Sequence, residues 1–242
     1  MKTLGIAMGS LACAAATSAF AQSPPVDPLN PPPPVQSEGP RDVGDVLTAP
    51  MRAPRNALEL GVDAGYTQGF GSAVSDPRVG AGAGGTLGIS LDDRLAPRWS
   101  FGVSGQYQGY GSSGRQGSAA TLRGATAGIH GTYHFMPYDR LDPHLSIGAG
   151  YRLFAESPEV SGPTTLTHGV ELGKVEVGLD VRPSENVAIS PVVGVDVDLF
   201  RWRAGGPAAS ALPSNGAVST FVFAGVKGRF DLGGARESKP AP

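Results

Sequence analysis

The sequence predicts an all-β fold, an eight-stranded antiparallel up-and-down transmembrane β-barrel, and three observations carry that reading. Eight stretches between Leu58 and Phe230 alternate apolar with small or polar residues at a period of two, the side-chain period of a strand. Each is about as long as one tilted strand crossing a bilayer. Glycine supplies 36 of 242 residues, about twice the usual share, and alternates with valine, isoleucine, leucine and aromatics rather than with serine and glutamine. That pattern belongs to packed, curved strands rather than to disorder.

The chain opens with Lys2, a short apolar run from Leu4 to Ala16, and Ala19-Phe20-Ala21 before Gln22. This is the charge, length and small-residue site of a secretory signal, so residues 1–21 are read as a signal peptide. The run is too short to cross a bilayer as a helix, and no other stretch offers about 18 consecutive apolar residues. Cys13 is the only cysteine and lies within the signal, which leaves the mature chain without a disulfide. A lipoprotein signal would use Cys13, but Ser10-Leu11-Ala12 puts leucine one place off that pattern. Residues 22–56 read as a proline-rich periplasmic linker, extended and semi-rigid around Pro31 to Pro34 and serving as a passive spacer. A net charge of -2 gives no reason to expect nucleic acid as a partner.

The barrel is expected over residues 57–230. In its first strand Leu58, Leu60, Val62, Ala64 and Tyr66 share one face, and Glu59, Gly61, Asp63, Gly65 and Thr67 the other. A bilayer requires the first face outward. The remaining strands fall at residues 79–91, 99–110, 120–135, 144–154, 167–181, 187–202 and 218–230, an even count as closure demands. Longer or glycine- and serine-rich connections at 69–78, 111–119, 155–166 and 203–217 are expected to face outside. Short links at 92–98, 136–143 and 182–186 then face the periplasm, as do both termini. Aromatic residues gather near strand ends: Trp99, Phe101, Tyr133, Phe135 and Phe230 at one end, Tyr66, Tyr107, Tyr151 and Trp202 at the other. Two girdles at the lipid interfaces have this form.

In the last strand Val222, Ala224, Val226 and Gly228 alternate up to the aromatic Phe230. With that strand and the strand count, residues 57–230 resemble the eight-stranded outer-membrane barrels, of which the membrane domain of outer-membrane protein A is the familiar case. The resemblance implies a place in the outer membrane of a Gram-negative bacterium, surrounded by outer-membrane lipid. It also implies insertion by the barrel-assembly machinery, which reads the aromatic end of the last strand, and loops that would meet any extracellular partner. That family usually ends on the aromatic, whereas this chain continues through a tail at 231–242.

An eight-stranded barrel is just wide enough for its own side chains to fill it, and charges placed there must be paired. Glu59, Asp63, Arg152, Lys174, Glu176, Asp196, Asp198, Lys227 and Arg229 fall on the inward face and are expected to form a lumen charge network. Antiparallel order predicts that Glu59 pairs with Arg229 and Asp63 with Lys227, closing the first strand on the last. Arg152, Lys174, Glu176, Asp196 and Asp198 are expected to form a second network toward the outside, a static plug or a switchable gate.

No catalytic, cofactor or metal site emerges. The run Gly80-Ala81-Gly82-Ala83-Gly84-Gly85 matches a dinucleotide fingerprint, but it leads into a strand pattern rather than a helix. His130 and His134 are four residues apart on one strand face, roughly 13 Å, too far to share a metal. His168 with Ser157 or Ser161 resembles the pairing in membrane-embedded lipid hydrolases, but no acidic residue is spaced to orient it. The chain is therefore read as a non-enzymatic outer-membrane barrel with a structural, anchoring or surface-interaction role. The alternatives are a narrow gated channel for small solutes, an outer-leaflet lipid-modifying enzyme and, last, a soluble exported ligand-binding barrel.

Overall fold

The structure is a computed structural model that describes residues 50–71, 82–110, 120–158, 163–205 and 217–240. The expected signal peptide, most of the linker and the middle of each long connection lie outside the described residues. The described residues form ten strands: β1 (Ala53–Arg55), β2 (Ala57–Gly71), β3 (Ala83–Ala96), β4 (Trp99–Tyr110), β5 (Ala120–His134), β6 (Leu141–Pro158), β7 (Thr165–Ser184), β8 (Val187–Ala204), β9 (Ala217–Leu232) and β10 (Ala235–Glu237). β2 to β9 follow one another around a closed barrel, each antiparallel to its neighbours. The circle shuts where β2 meets β9, from Leu58 opposite Leu232 to Gly71 opposite Ser219.

Alternation decides what each face meets. Leu87 and Ile129 are 64% and 68% exposed on the outer wall, while Arg94 and Arg152 are 0% exposed inside. The burial order of a soluble protein is inverted, and only a lipid solvent makes that arrangement favourable. The shortest barrel strand, β4, has 12 residues, about 28 Å when tilted, which suits a hydrocarbon core of about 30 Å. Among the described residues no helix is long and apolar enough to cross a membrane, which leaves the strands as the spanning elements.

Several strands run past the ends expected from the sequence. β3 continues through Asp92 and Arg94 to Ala96, β6 begins at Leu141, and β7 reaches Ser184. Each extension adds charged inward residues to the wall. β9 also runs past Phe230 to Leu232, and the segment expected to be a free tail pairs β10 with β1, Ala53 opposite Glu237. Gly233 and Gly234 make the turn at φ of 68° and 75°, a left-handed conformation that glycine adopts without a steric penalty.

The resulting ribbon lies against the end of the barrel where β2 begins and β9 ends, called the terminus end below. Met51 N–H donates to the Tyr138 carbonyl at 2.8 Å, in the β5–β6 turn. Arg52 forks onto Glu185, in the β7–β8 turn, at 3.0 and 2.9 Å. These hydrogen bonds hold the Glu185 carboxyl below its ordinary range. Ala53 is fully buried and Met51 nearly so.

At the closing seam Gly65 stands opposite Gly225. A Cβ on Gly65 would come within 2.4 Å of the Ala224 carbonyl oxygen. Gly65→Val should therefore cost about 1–3 kcal/mol, read as a lower midpoint for loss of the heat-modifiable folded band; an unchanged midpoint would contradict so tight a seam.

Candidate functional site: a filled polar lumen

The lumen is built in layers. Nearest the loop end lie four buried rings, with Phe154 5.7 Å from Tyr110, 5.5 Å from Phe200 and 5.6 Å from Phe221. They come from β4, β6, β8 and β9 and meet because an eight-stranded interior is only a few side chains wide. Beside them sits Arg152 on β6. Its Nη2 lies 2.5 Å from Asp196 and 3.4 Å from Glu171, and its Nη1 3.2 Å from Asp198. Its Nε donates to Thr126 Oγ1 at 3.1 Å, and its guanidinium covers the Phe221 ring at 4.2 Å.

Mid-lumen holds a small polar cavity bordered by Asp63, Gln106, His130, Lys174, Glu176 and Lys227. Its volume of about 40 Å³ has room for roughly three waters. Lys227 donates to Glu176 at 2.7 Å, Gln106 to Asp63 at 3.3 Å, and His130 meets Asp92 at 2.6 Å. Lys174 turns its ammonium onto the Phe223 ring, 4.5 Å from the centroid.

The layer at the terminus end is the most densely charged. Arg94 donates to Glu59 at 2.9 Å and to the Pro97 carbonyl through two nitrogens. The same guanidinium faces His134 Nε2 at 2.8 Å. A guanidinium only donates, so Nε2 accepts, and the ring proton on Nδ1 is directed at Asp142, 2.8 Å away. Asp180 is held by Arg229 and Ser190, and Asp231 by Arg182 and Arg236, each at 3.1 Å. Acids and guanidiniums alternate here in near balance.

These contacts revise the expected pairs. Glu59 has Arg94 as its near partner, with Arg229 at 3.9 Å. Lys227 stands opposite Asp63 in register but reaches past it to Glu176 on β7. A long side chain in so narrow a lumen overshoots its neighbour and meets another wall. Glu176 is thereby drawn away from the Arg152 layer, Lys174 joins Phe223 instead, and Glu171 enters in their stead. Asp196, Asp198 and Arg152 do come together.

Glu171 is inward because a bulge between Glu171 and Gly173 switches the facing of β7. Its trace is in the sequence, where the outward apolar positions change from Val170 and Leu172 to Val175, Val177 and Leu179. The inward rings follow from parity too, since Phe221 and Phe223 alternate with the outward Val222 and Ala224.

Outside, Trp99 stacks with Phe101 and meets Tyr133 at 4.8 Å, and Tyr133 meets Phe135 at 5.0 Å. Phe230 is exposed near this end. Toward the loop end Tyr66 and Tyr107 are half-exposed, and Trp202 lies 6.4 Å from Tyr151 and 5.5 Å from His168. His168 thus faces outward against Tyr151 and Trp202, while Ser157 bonds to Thr164 at 3.3 Å. Ser161 lies outside the described residues.

A closed wall of eight strands with an apolar exterior and a polar, filled interior makes the likeness plain. The chain resembles the eight-stranded outer-membrane barrels. No family model matches it, and no curated protein does. Among solved structures it is similar to Neisserial surface protein A, at 16% identity and a TM-score of 0.45, over 70% of this chain and 95% of that one. It is also similar to the N-terminal β-barrel domain of Pseudomonas aeruginosa OprF, at 16% and 0.39, over 73% and 99%. The attachment invasion locus protein Ail of Yersinia pestis is similar at 11% and 0.42, over 73% and 99%.

Breaking one side of a buried pair strands the other charge, at a cost of about 3–5 kcal/mol. Arg94→Met should lower the unfolding midpoint in detergent strongly, and Glu59→Gln added to it should restore much of the loss. Equal midpoints for Arg94→Met and the wild type would show the pair to be incidental.

Proposed function

We propose that the protein is an outer-membrane β-barrel with a structural role, anchoring in the membrane and displaying its loops outside, with its lumen closed. The carrying observation is that the interior is occupied from end to end: four rings, the Arg152 ion cluster, a cavity of a few waters, and the Glu59–Arg94–His134–Asp142 layer beneath. The ribbon of β1 and β10 then lies across the terminus end.

Under this reading the segment at 1–21 directs export and the barrel-assembly machinery inserts the chain. Both termini rest in the periplasm, the lipid of the outer membrane wets the apolar wall, and any extracellular partner meets the loops. A gated channel is the second reading, favoured by the mid-lumen cavity and by the Arg152 cluster that borders the rings. A lipid hydrolase finds no support in His168, which is turned to Tyr151 and Trp202 and away from Ser157.

Conductance of the refolded chain from Gln22 to Pro242 in a planar bilayer tests the closed lumen. The expected trace is silent once insertion is verified, and Phe154→Ala with Arg152→Ala should raise the frequency of openings about tenfold or more, as a lost blockade of 1.4 kcal/mol already gives that factor. Regular discrete steps from the wild type would replace the closed reading with the channel.

A further inference from the structure

The ribbon of β1 and β10 bridges the mouth of the barrel. β1 leaves β2 at the closing seam through the single residue Asn56, and the β5–β6 turn stands halfway round the circle of strands from that seam. Eight strands about 4.8 Å apart and tilted about 40° make a cylinder roughly 16 Å across. The extended chain from Ala57 back to Met51 covers about 20 Å, and the Met51 N–H meets the Tyr138 carbonyl on the far rim. Arg52 meets Glu185 on the side between, in the β7–β8 turn. Beneath this bridge Glu59, Arg94, His134, Asp142 and Asp180 are all 0% exposed, although they form the layer nearest one end of the cylinder. Charges at an uncovered mouth would be wet, so the ribbon and the turns keep water from them.

The cover is held differently from what it covers. It joins the wall at Asn56, with φ of 48°, and at Gly233 and Gly234, with φ of 68° and 75°, short pivots of left-handed backbone between strands. A Cβ on Gly234 would meet the Ala57 Cβ and the Arg55 carbonyl oxygen at 2.7 Å, so the base of the ribbon closes only on glycine. The latches are Arg52 with Glu185 and Arg55 with Glu237, and their arginines are 57% and 52% exposed. Exposed pairs of this kind are screened by water and contribute little. Arg236 ties β10 to Asp231 on β9 and to Asn186, which restrains the near edge of the ribbon but not its reach to the far rim. The wall is joined by backbone ladders on every side and by buried ion pairs whose rupture is far more costly. Local opening begins where such contacts are fewest.

We propose that the β1–β10 ribbon is a hinged lid on the lumen, latched to the rim by Arg52 and the Met51 amide, which lifts while the barrel stays closed. Lifting wets the Glu59–Arg94–His134–Asp142 layer and admits small polar solutes from the terminus end. Salt releases it, because screening weakens the exposed latch and leaves the buried pairs intact. The rings of Tyr110, Phe154, Phe200 and Phe221 lie at the other end of the lumen and take no part. The lid therefore opens onto a blind vestibule, and the inference is independent of whether the lumen conducts.

The chain from Gln22 to Pro242 has no cysteine, so one introduced thiol reports exposure. Ser100, on β4 at the terminus end, is 1% exposed and its hydroxyl has no hydrogen-bond partner, which makes Ser100→Cys a near-isosteric reporter beneath the lid. The refolded protein in detergent is labelled with a sulfonated maleimide. Labelling should quicken about threefold or more from low salt to about 1 M sodium chloride, where screening acts within about 3 Å. Arg52→Gln should raise the low-salt rate by a similar factor and remove most of the salt response. Ending the chain at Leu232 should raise the rate about tenfold or more, and Gly234→Ala, which keeps every charge, should do so in part if the shortened chain does not fold. Ser219→Cys, equally buried and unpartnered but at the loop end, should label at one rate in every background. Equal Ser100→Cys labelling in the wild type, Arg52→Gln and Gly234→Ala would overturn the lid, as would a parallel rise at Ser219→Cys, which would show the whole barrel loosening.

Discussion

Because the outer wall must be apolar, every charged side chain in the middle of a barrel strand has only the lumen to enter. Closure at eight strands makes that lumen narrow, so the charges are brought within reach of one another and cut off from water. An unpaired buried ion costs several kcal/mol, whereas an exposed clamp such as Arg52 with Glu185 is screened by water and contributes little. The internal pairing is therefore what specifies this barrel, and the alternation of its strands exists to deliver those side chains inward.

Narrowness also explains which partners meet. Residues facing one another in register sit about 5 Å apart, closer than an extended lysine or arginine is long. Such side chains cross to another strand, as Lys227 does to reach Glu176 and Arg229 to reach Asp180. Each crossing ties strands that share no ladder of backbone hydrogen bonds. Aromatic side chains do the same near the loop end, where Phe154 of β6 touches rings from β4, β8 and β9. The lumen is thus a second set of cross-links inside the hydrogen-bonded cylinder.

Strand count and facing were legible in the sequence because they depend on period alone. Leu58 to Thr67 state their faces without reference to any other strand. What depended on distance across the lumen was not legible: nothing local to Lys227 says that Glu176, rather than Asp63, receives it. The terminus-end layer was hidden differently. Asp92, Arg94, Asp142 and Arg182 looked like turn residues because charge stands where the apolar run ends, yet Leu91, Asp93 and Leu95 carry the outward parity on to the end of β3. The ribbon joining Ala53–Arg55 to Ala235–Glu237 had no signature, since three-residue strands are too short to show a period.

The central claim is that the alternation sorts lipid from lumen, and depth-resolved quenching tests it most directly. A single cysteine at Ile129, midway along the outer wall, or at its inward neighbour His130, which borders the mid-lumen cavity, carries a fluorophore in a chain lacking Cys13, reconstituted in lipids brominated at successive depths. The label at residue 129 should be quenched most by bromine near the chain ends and be indifferent to aqueous iodide, whereas the label at 130 should respond to bromine only weakly. Equal lipid quenching at both positions, or iodide quenching at 129, would contradict the account.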